Sequence, residues 1–178
     1  MAKHGVGGST FSDWWAYKYE VIDAIPQNGE IMHNQGVTVV FNSDDAEMAR
    51  RLNQEAAKAI MYGDVSEEDA WKFVTLNAAK LLHIDDKVGS IKVGKDADIV
   101  LWSDNPLSIY AKAEMTFVDG IKFFDRQEDK ILRQAVQSER ARLIQKMLNA
   151  KKGGAATQGP RGKHKHHYHC DHAEDEMY

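Results

Sequence analysis

The chain has 178 residues, a formal net charge of −4, 43% hydrophobic and 28% charged residues, and one cysteine. That length can enclose one domain with a real core. The charge balance gives no basis for a nucleic-acid or anionic-membrane partner. Cys170 alone excludes an internal disulfide, and no apolar run approaches the roughly 20 residues of a membrane helix.

Residues 1–8 read as the frayed end of a helix and a glycine-rich turn, without the apolar stretch of a signal peptide. A segment ahead of Met1 would carry any address, so cytoplasm and periplasm both stay open. An aromatic segment follows, with Trp14, Trp15, Tyr17 and Tyr19, and Pro26 and Gly29 punctuate the chain after it. Residues 37–41 are apolar on consecutive positions, which predicts a strand buried on both faces, as in a parallel sheet covered by helices. Over 46–61 the period changes: Met48, Ala49, Leu52, Ala56, Ala59 and Ile60 make one face of a helix closed by Gly63. Ser66-Glu67-Glu68-Asp69 has the form of a capping box for a second helix, whose inward residues are Ala70, Phe73, Val74, Leu81 and Leu82. Short strands are then expected at 89–93, 97–102, 116–118 and 122–124, with Asp119-Gly120 as a hairpin turn. A long helix covers 126–150, with Ile131, Leu132, Ala135, Val136, Leu143, Ile144, Met147 and Leu148 inward. Residues 151–178 are rich in Gly, Lys and His and read as a flexible tail.

Asp44 stands where the buried strand gives way to a helix, the end of a strand at which β/α barrels build catalysis. A carboxylate there can bind a divalent metal and accept a proton from water. The competing reading is a helix cap by Ser43 or Asp44, and the bare pattern favours it. Asp45 reads as a solvated neighbour. His4 and His33 are isolated histidines, more often surface or capping residues than ligands.

Three motifs change the balance. Thr75 with Asn77-Ala78-Ala79-Lys80-Leu81-Leu82 is similar to the T-x-N-P-A-K-x-L segment of amidohydrolases of the imidazolonepropionase-like group. Gly89-Ser90-Ile91 with Gly94-Lys95-Asp96-Ala97-Asp98 resembles their G-S-I-x-x-G-K-x-A-D motif, and Val118-Asp119-Gly120 their following hairpin. Ala78 departs from the usual proline, a helix-start preference rather than chemistry.

The resemblance implies an α/β fold: the C-terminal part of a (β/α)8 TIM-type barrel at 1–83, strands of a small composite β-sandwich at 84–125, a C-terminal helix at 126–150 and a tail at 151–178. It implies hydrolysis of amide or cyclic amide C–N bonds, with a divalent metal, zinc first among candidates, in the complete enzyme. Asp44 then matches the family's metal-binding, proton-transferring aspartate. Trp14 and Trp15 become candidates for the substrate pocket, against a packing role between barrel and helices. Gly94, Lys95, Asp96 and Asp98 belong to the structural β-region. The family's H-x-H and its other ligands are expected upstream of Met1, so the chain by itself is expected to be inactive. Its expected partners are the missing N-terminal barrel portion or further copies of itself, by association or strand exchange. His164, His166, His167, His169, Cys170 and His172 could bind metal in the tail, opportunistically more often than by design. The second functional reading is a non-catalytic binding or assembly module that uses the β-region, the face of the last helix carrying Arg133, Gln137, Arg140 and Arg142, and an adventitious metal in the tail.

Overall fold

Val39, Val40 and Phe41 form a strand with no exposed residue, and the chain is organised around it. The computed structural model describes residues 1–156 and Gln158. Its elements run β1 (Gly8–Thr10), α1 (Asn28–Asn34), β2 (Val39–Phe41), α2 (Ala46–Ala49), α3 (Leu52–Gly63), α4 (Glu67–Lys72), α5 (Leu76–Leu81), β3 (Ile99–Trp102), β4 (Ala113–Val118), β5 (Ile121–Asp125) and α6 (Arg126–Lys152). β1 and β2 pair in parallel with Gly8 opposite Val39 and Thr10 opposite Phe41. The run of consecutive apolar residues therefore marks a doubly covered parallel strand, as expected.

The opening departs from expectation. Residues 1–8 are not a frayed helix alone: a 3-10 turn at Ala2–His4 ends at Gly5, and the chain then enters β1. Gly8 and Ser9 carry no apolar side chain to announce that strand. β1 exists because its backbone hydrogen-bonds to β2, with the Gly8 amide donating to the Thr38 carbonyl at 2.9 Å.

The core comprises Val37, Val39, Phe41, Ala59, Val65, Ala70 and Phe73. Phe41 and Phe73 meet edge to face with centroids 5.3 Å apart, a favoured aromatic geometry. Gly29 on α1 permits that packing, since a Cβ there would fall 2.5 Å from the Phe41 ring. The helix expected over 46–61 is two helices, because Arg51 leaves helical geometry at φ −137° and ψ 34°. Arg50 and Arg51 are both exposed, so no packing holds a continuous helix there. Gly63 does not close α3 as a left-handed cap; Asp64 does, at φ 51°. Gly63 is needed for close approach instead, its missing Cβ standing 2.5 Å from Glu30 Cβ.

Ser66 caps α4 as expected, its hydroxyl accepting the Asp69 amide at 3.1 Å. The segment beyond it divides into α4 and α5, and Leu82, expected inward, is exposed at the end of α5. β3, β4 and β5 form an antiparallel sheet in that order, joined between β4 and β5 by Asp119 and Gly120 with φ of 50° and 76°. Both carry the positive φ that a tight hairpin requires.

The strand expected at 89–93 is absent. Lys95 instead donates to the carbonyls of Asp85 and Val88 and to the Ser90 hydroxyl, rolling the segment into turns that leave Ile91 and Val93 in solvent. The chain divides into two compact units, Met1–Leu132 and a second that begins at Arg133. α6 extends slightly beyond its expected end, but none of its residues is buried. Ile131, Leu132, Ala135, Val136, Leu143, Ile144, Met147 and Leu148, expected inward, are all exposed. The tail residues His164 to His172 lie outside the described residues. Among the described residues no helix is long and apolar enough to cross a membrane.

Candidate functional site

β2 delivers the chain to Asn42, Ser43, Asp44 and Asp45 at its C-terminal end. Asn42 remains in register with β1: its amide donates to the Thr10 carbonyl at 3.0 Å and its side chain to Ser9 Oγ at 2.7 Å. At Asp44 the backbone swings to φ 49°, the left-handed region that a non-glycine residue seldom occupies. Asp45 then returns to extended geometry and caps α2, one carboxylate oxygen accepting the amides of Glu47 at 2.9 Å and Met48 at 2.8 Å.

The two aspartates thus exchange the roles that the bare pattern, before the family resemblance, suggests. Asp45 is the helix cap and not a solvated neighbour, whereas the exposed Asp44 makes no side-chain hydrogen bond or ion pair with the described residues. Capping explains Asp45 fully. It leaves the Asp44 carboxylate unengaged at the end of a buried parallel strand. Among the described residues no group of three or more His, Cys, Asp or Glu side chains could hold a metal ion, so the residues present do not form a metal centre.

The aromatic segment leaves β1 on the same side. Phe11 stacks on Trp14 with centroids 4.3 Å apart, Trp14 meets the Tyr17 ring edge-on at 5.4 Å, and its indole N–H points at Met48 sulfur at 3.1 Å. Trp14 is therefore a packed residue between β1 and α2, while Trp15 stands half in solvent. His33 packs its ring near Phe73 and lies 3.8 Å from Asp69; His4 is exposed.

Sequence reasoning missed one polar cluster. Ser12, 1% exposed, donates its hydroxyl to Glu55, 2% exposed, and Lys58 donates to Glu55 at 2.8 Å, Asp13 at 3.0 Å and Ser12 at 3.4 Å. Desolvation lowers the Lys58 pKa, but the hydrogen bonds to Glu55 and Asp13 outweigh it and the ammonium is held above its ordinary range. The signal was available: Glu55 falls within the apolar stripe of Leu52, Ala56 and Ala59, where an acid needs a partner.

The three motifs are ties between elements. Asn77 donates its amide to the Val39 carbonyl at 2.9 Å. Gly89, at φ 82°, sits where a Cβ would fall 2.6 Å from Ala79 Cβ. Asp98 accepts the Asp119 amide at 3.0 Å, and the Gly120 amide donates to Ala97 at 3.1 Å, holding the hairpin against the strand before it. A cavity of about 710 Å³ runs along β3 beside α4 and α5, lined by Trp71, Leu76, Ile91, Val100 and Trp102 among others. Asp44, Trp14 and Trp15 take no part in it.

The described residues thus combine a parallel strand ending in an unengaged carboxylate with a small antiparallel sheet. The amidohydrolase family model matches residues 26–124, and the chain belongs to that family. It is 35% identical over 116 residues to amidohydrolase tasK of Hapsidospora irregularis, a match covering 65% of this chain and 12% of that protein. Against an imidazolonepropionase of Picrophilus torridus it is 30% identical over 112 residues, covering 58% of this chain and 28% of that one. The solved amidohydrolase of Thermotoga maritima superposes with a TM-score of 0.62 at 31% identity, over 70% of this chain and 33% of that one. These likenesses bear out the family resemblance carried by the motifs. The chain spans a third or less of each of these three proteins.

Proposed function

We propose that this chain is the C-terminal portion of a metal-dependent amidohydrolase acting on amide or cyclic amide C–N bonds, with Asp44 as the one catalytic-site residue it contributes. The observation that carries the reading is the division of labour at the end of β2: Asp45 caps α2, leaving the Asp44 carboxylate free to ligate or to accept a proton. The barrel reading draws on β1 and β2, a parallel pair with helices packed on it and its chemistry at the C-terminal ends. Members of the family typically use metals, and zinc is the metal proposed for the complete enzyme. Its remaining ligands are assigned to the part of the barrel that this chain lacks. Alone, the chain is proposed to be inactive.

The same reading names the partner. β3 has a free edge beside the apolar cavity, and an extended segment from the missing portion, or from a second copy, would pair along it. The exposed apolar residues of α6 favour assembly as a second role.

The test joins this chain to an upstream segment carrying H-x-H and assays N-acyl amino acids, dipeptides and cyclic ureas. Activity that disappears in Asp44→Asn supports the assignment. Equal activity in the variant would sink it.

A further inference from the structure

We propose that Ser12, Asp13, Glu55 and Lys58 form a latch whose task is to hold the segment after β1 as a fixed wall beside the Asp44 turn. The four residues connect two elements distant in sequence: Ser12 and Asp13 immediately follow Phe11, and Glu55 and Lys58 lie one turn apart on α3. Lys58 is the hub, within hydrogen-bond reach of the other three. From Asp13 the chain passes directly to Trp14, whose indole rests on Met48 of α2. The Met48 amide in turn donates to Asp45, the neighbour of Asp44. The latch is thus connected through one aromatic contact to the turn that presents the candidate catalytic carboxylate. Its role as the wall of a site rests on the reading of Asp44; its role in ordering the loop does not.

Stability alone is a poor account of this cluster. Removing Glu55 and Ser12 almost wholly from water carries a desolvation cost that the ion pairs with Lys58 only offset. Apolar side chains of similar volume at these positions commonly give equal or greater stability. What they cannot supply is direction. An ammonium shared among two carboxylates and a hydroxyl is satisfied in one arrangement, whereas an apolar contact tolerates sliding. Much of the segment's aromatic surface packs on nothing, since Trp15, Tyr17 and Tyr19 are all exposed, although Ala24 at its far end is buried. Among the described residues, what else holds the segment is the Phe11–Trp14 stack, the Trp14–Tyr17 edge contact, the Met48 contact and the Trp15 amide donating to the Ala24 carbonyl at 3.1 Å.

The experiment separates loop order from global stability in the full 178-residue chain. Thermal unfolding and amide hydrogen exchange are measured for the native protein, Lys58→Met, Lys58→Arg, and the apolar triple Ser12→Ala, Glu55→Leu, Lys58→Met. The expected result is faster exchange, about tenfold or more, confined to 11–24 in Lys58→Met and the triple, with protection at Val39, Val40 and Phe41 retained and the triple's Tm unchanged or higher. Lys58→Arg, which keeps the charge and donors, should preserve the native pattern. Unchanged exchange at 11–24 in both latch-breaking variants overturns the proposal. Protection lost equally across all segments as Tm falls also overturns it, by showing an ordinary core contribution.

Discussion

The side-chain amide of Asn77 donates to the main-chain carbonyl of Val39 across 2.9 Å, joining α5 to the outer edge of the buried strand. The Phe41 amide, on that same edge, donates to the Phe73 carbonyl at 3.0 Å. Those two bonds satisfy groups that a neighbouring strand would otherwise take. Asn77→Leu leaves the Val39 carbonyl without its partner in an apolar setting, and about 1–3 kcal/mol of stability should be lost. Urea denaturation read by circular dichroism measures it. A loss below a few tenths of a kcal/mol would show that water replaces the amide.

The adjacent aspartates should separate cleanly. Asp45→Ala removes the acceptor for two helix amides and should cost about 1 kcal/mol. Asp44→Asn touches no hydrogen bond made by the described residues and should change stability by less than about 0.5 kcal/mol. In the joined enzyme the order should reverse, with Asp44→Asn abolishing turnover and Asp45→Ala retaining most of it. Paired unfolding curves and initial rates would show this double dissociation.

Gly89 is the motif residue most tightly specified by space. Its φ of 82° and the 2.6 Å approach that a Cβ would make to Ala79 act together. Gly89→Ala should destabilise by about 2–4 kcal/mol, combining the strain of positive φ with overpacking. Gly94, at φ 93° with nothing within 4 Å of a Cβ, should suffer only the strain in Gly94→Ala, about 1 kcal/mol. Chemical denaturation of the two variants side by side tests whether space, and not conformation alone, selects glycine at position 89.

How much of this was legible in the chain varied by residue for identifiable reasons. β2 announced itself because a strand covered on both faces needs an unbroken apolar run, and Val37 to Phe41 supply one. The Asp119-Gly120 turn was equally plain, since positive φ narrows the choice of residues. β1 was hidden because a glycine-serine-threonine strand owes its existence to its partner's backbone. The turns at 89–93 are hidden because Ile91 and Val93 have strand propensity, while the deciding bonds come from Lys95. α6 shows a limit of another kind: periodicity locates an apolar face, but that face can be exposed, as Leu132, Val136 and Met147 are. At the site, position selected Asp44, but only geometry could show that its neighbour had taken the cap.

Lys58 supplies a pH signature. Its folded-state pKa lies above the ordinary 10.5, so its contribution is fully present below that value and is lost as pH rises through the higher folded-state value. The difference in unfolding free energy between the native protein and Lys58→Met should stay flat from neutral pH to about pH 10 and shrink above it. Taking the difference cancels the titration of tyrosines and of the other lysines. Denaturation midpoints at closely spaced alkaline pH values measure it; a gap that widens with alkalinity would reverse the sign and remove the ion pairing assigned to Lys58.

Concentration should govern the state of the isolated chain. Leu132, Val136, Leu143 and Met147 stand exposed on α6, and the free edge of β3 lies beside an apolar cavity. Apolar faces and free edges of this kind promote association. Sedimentation velocity over a hundredfold range of concentration should show mass rising with concentration, and Leu143→Glu should weaken association if α6 carries it. If Leu143→Glu has no effect while Val100→Pro, which removes an amide from β3, lowers the mass, the strand edge is the contact. A monomer that remains well behaved in both the dilute and the concentrated limits would count against an incomplete barrel.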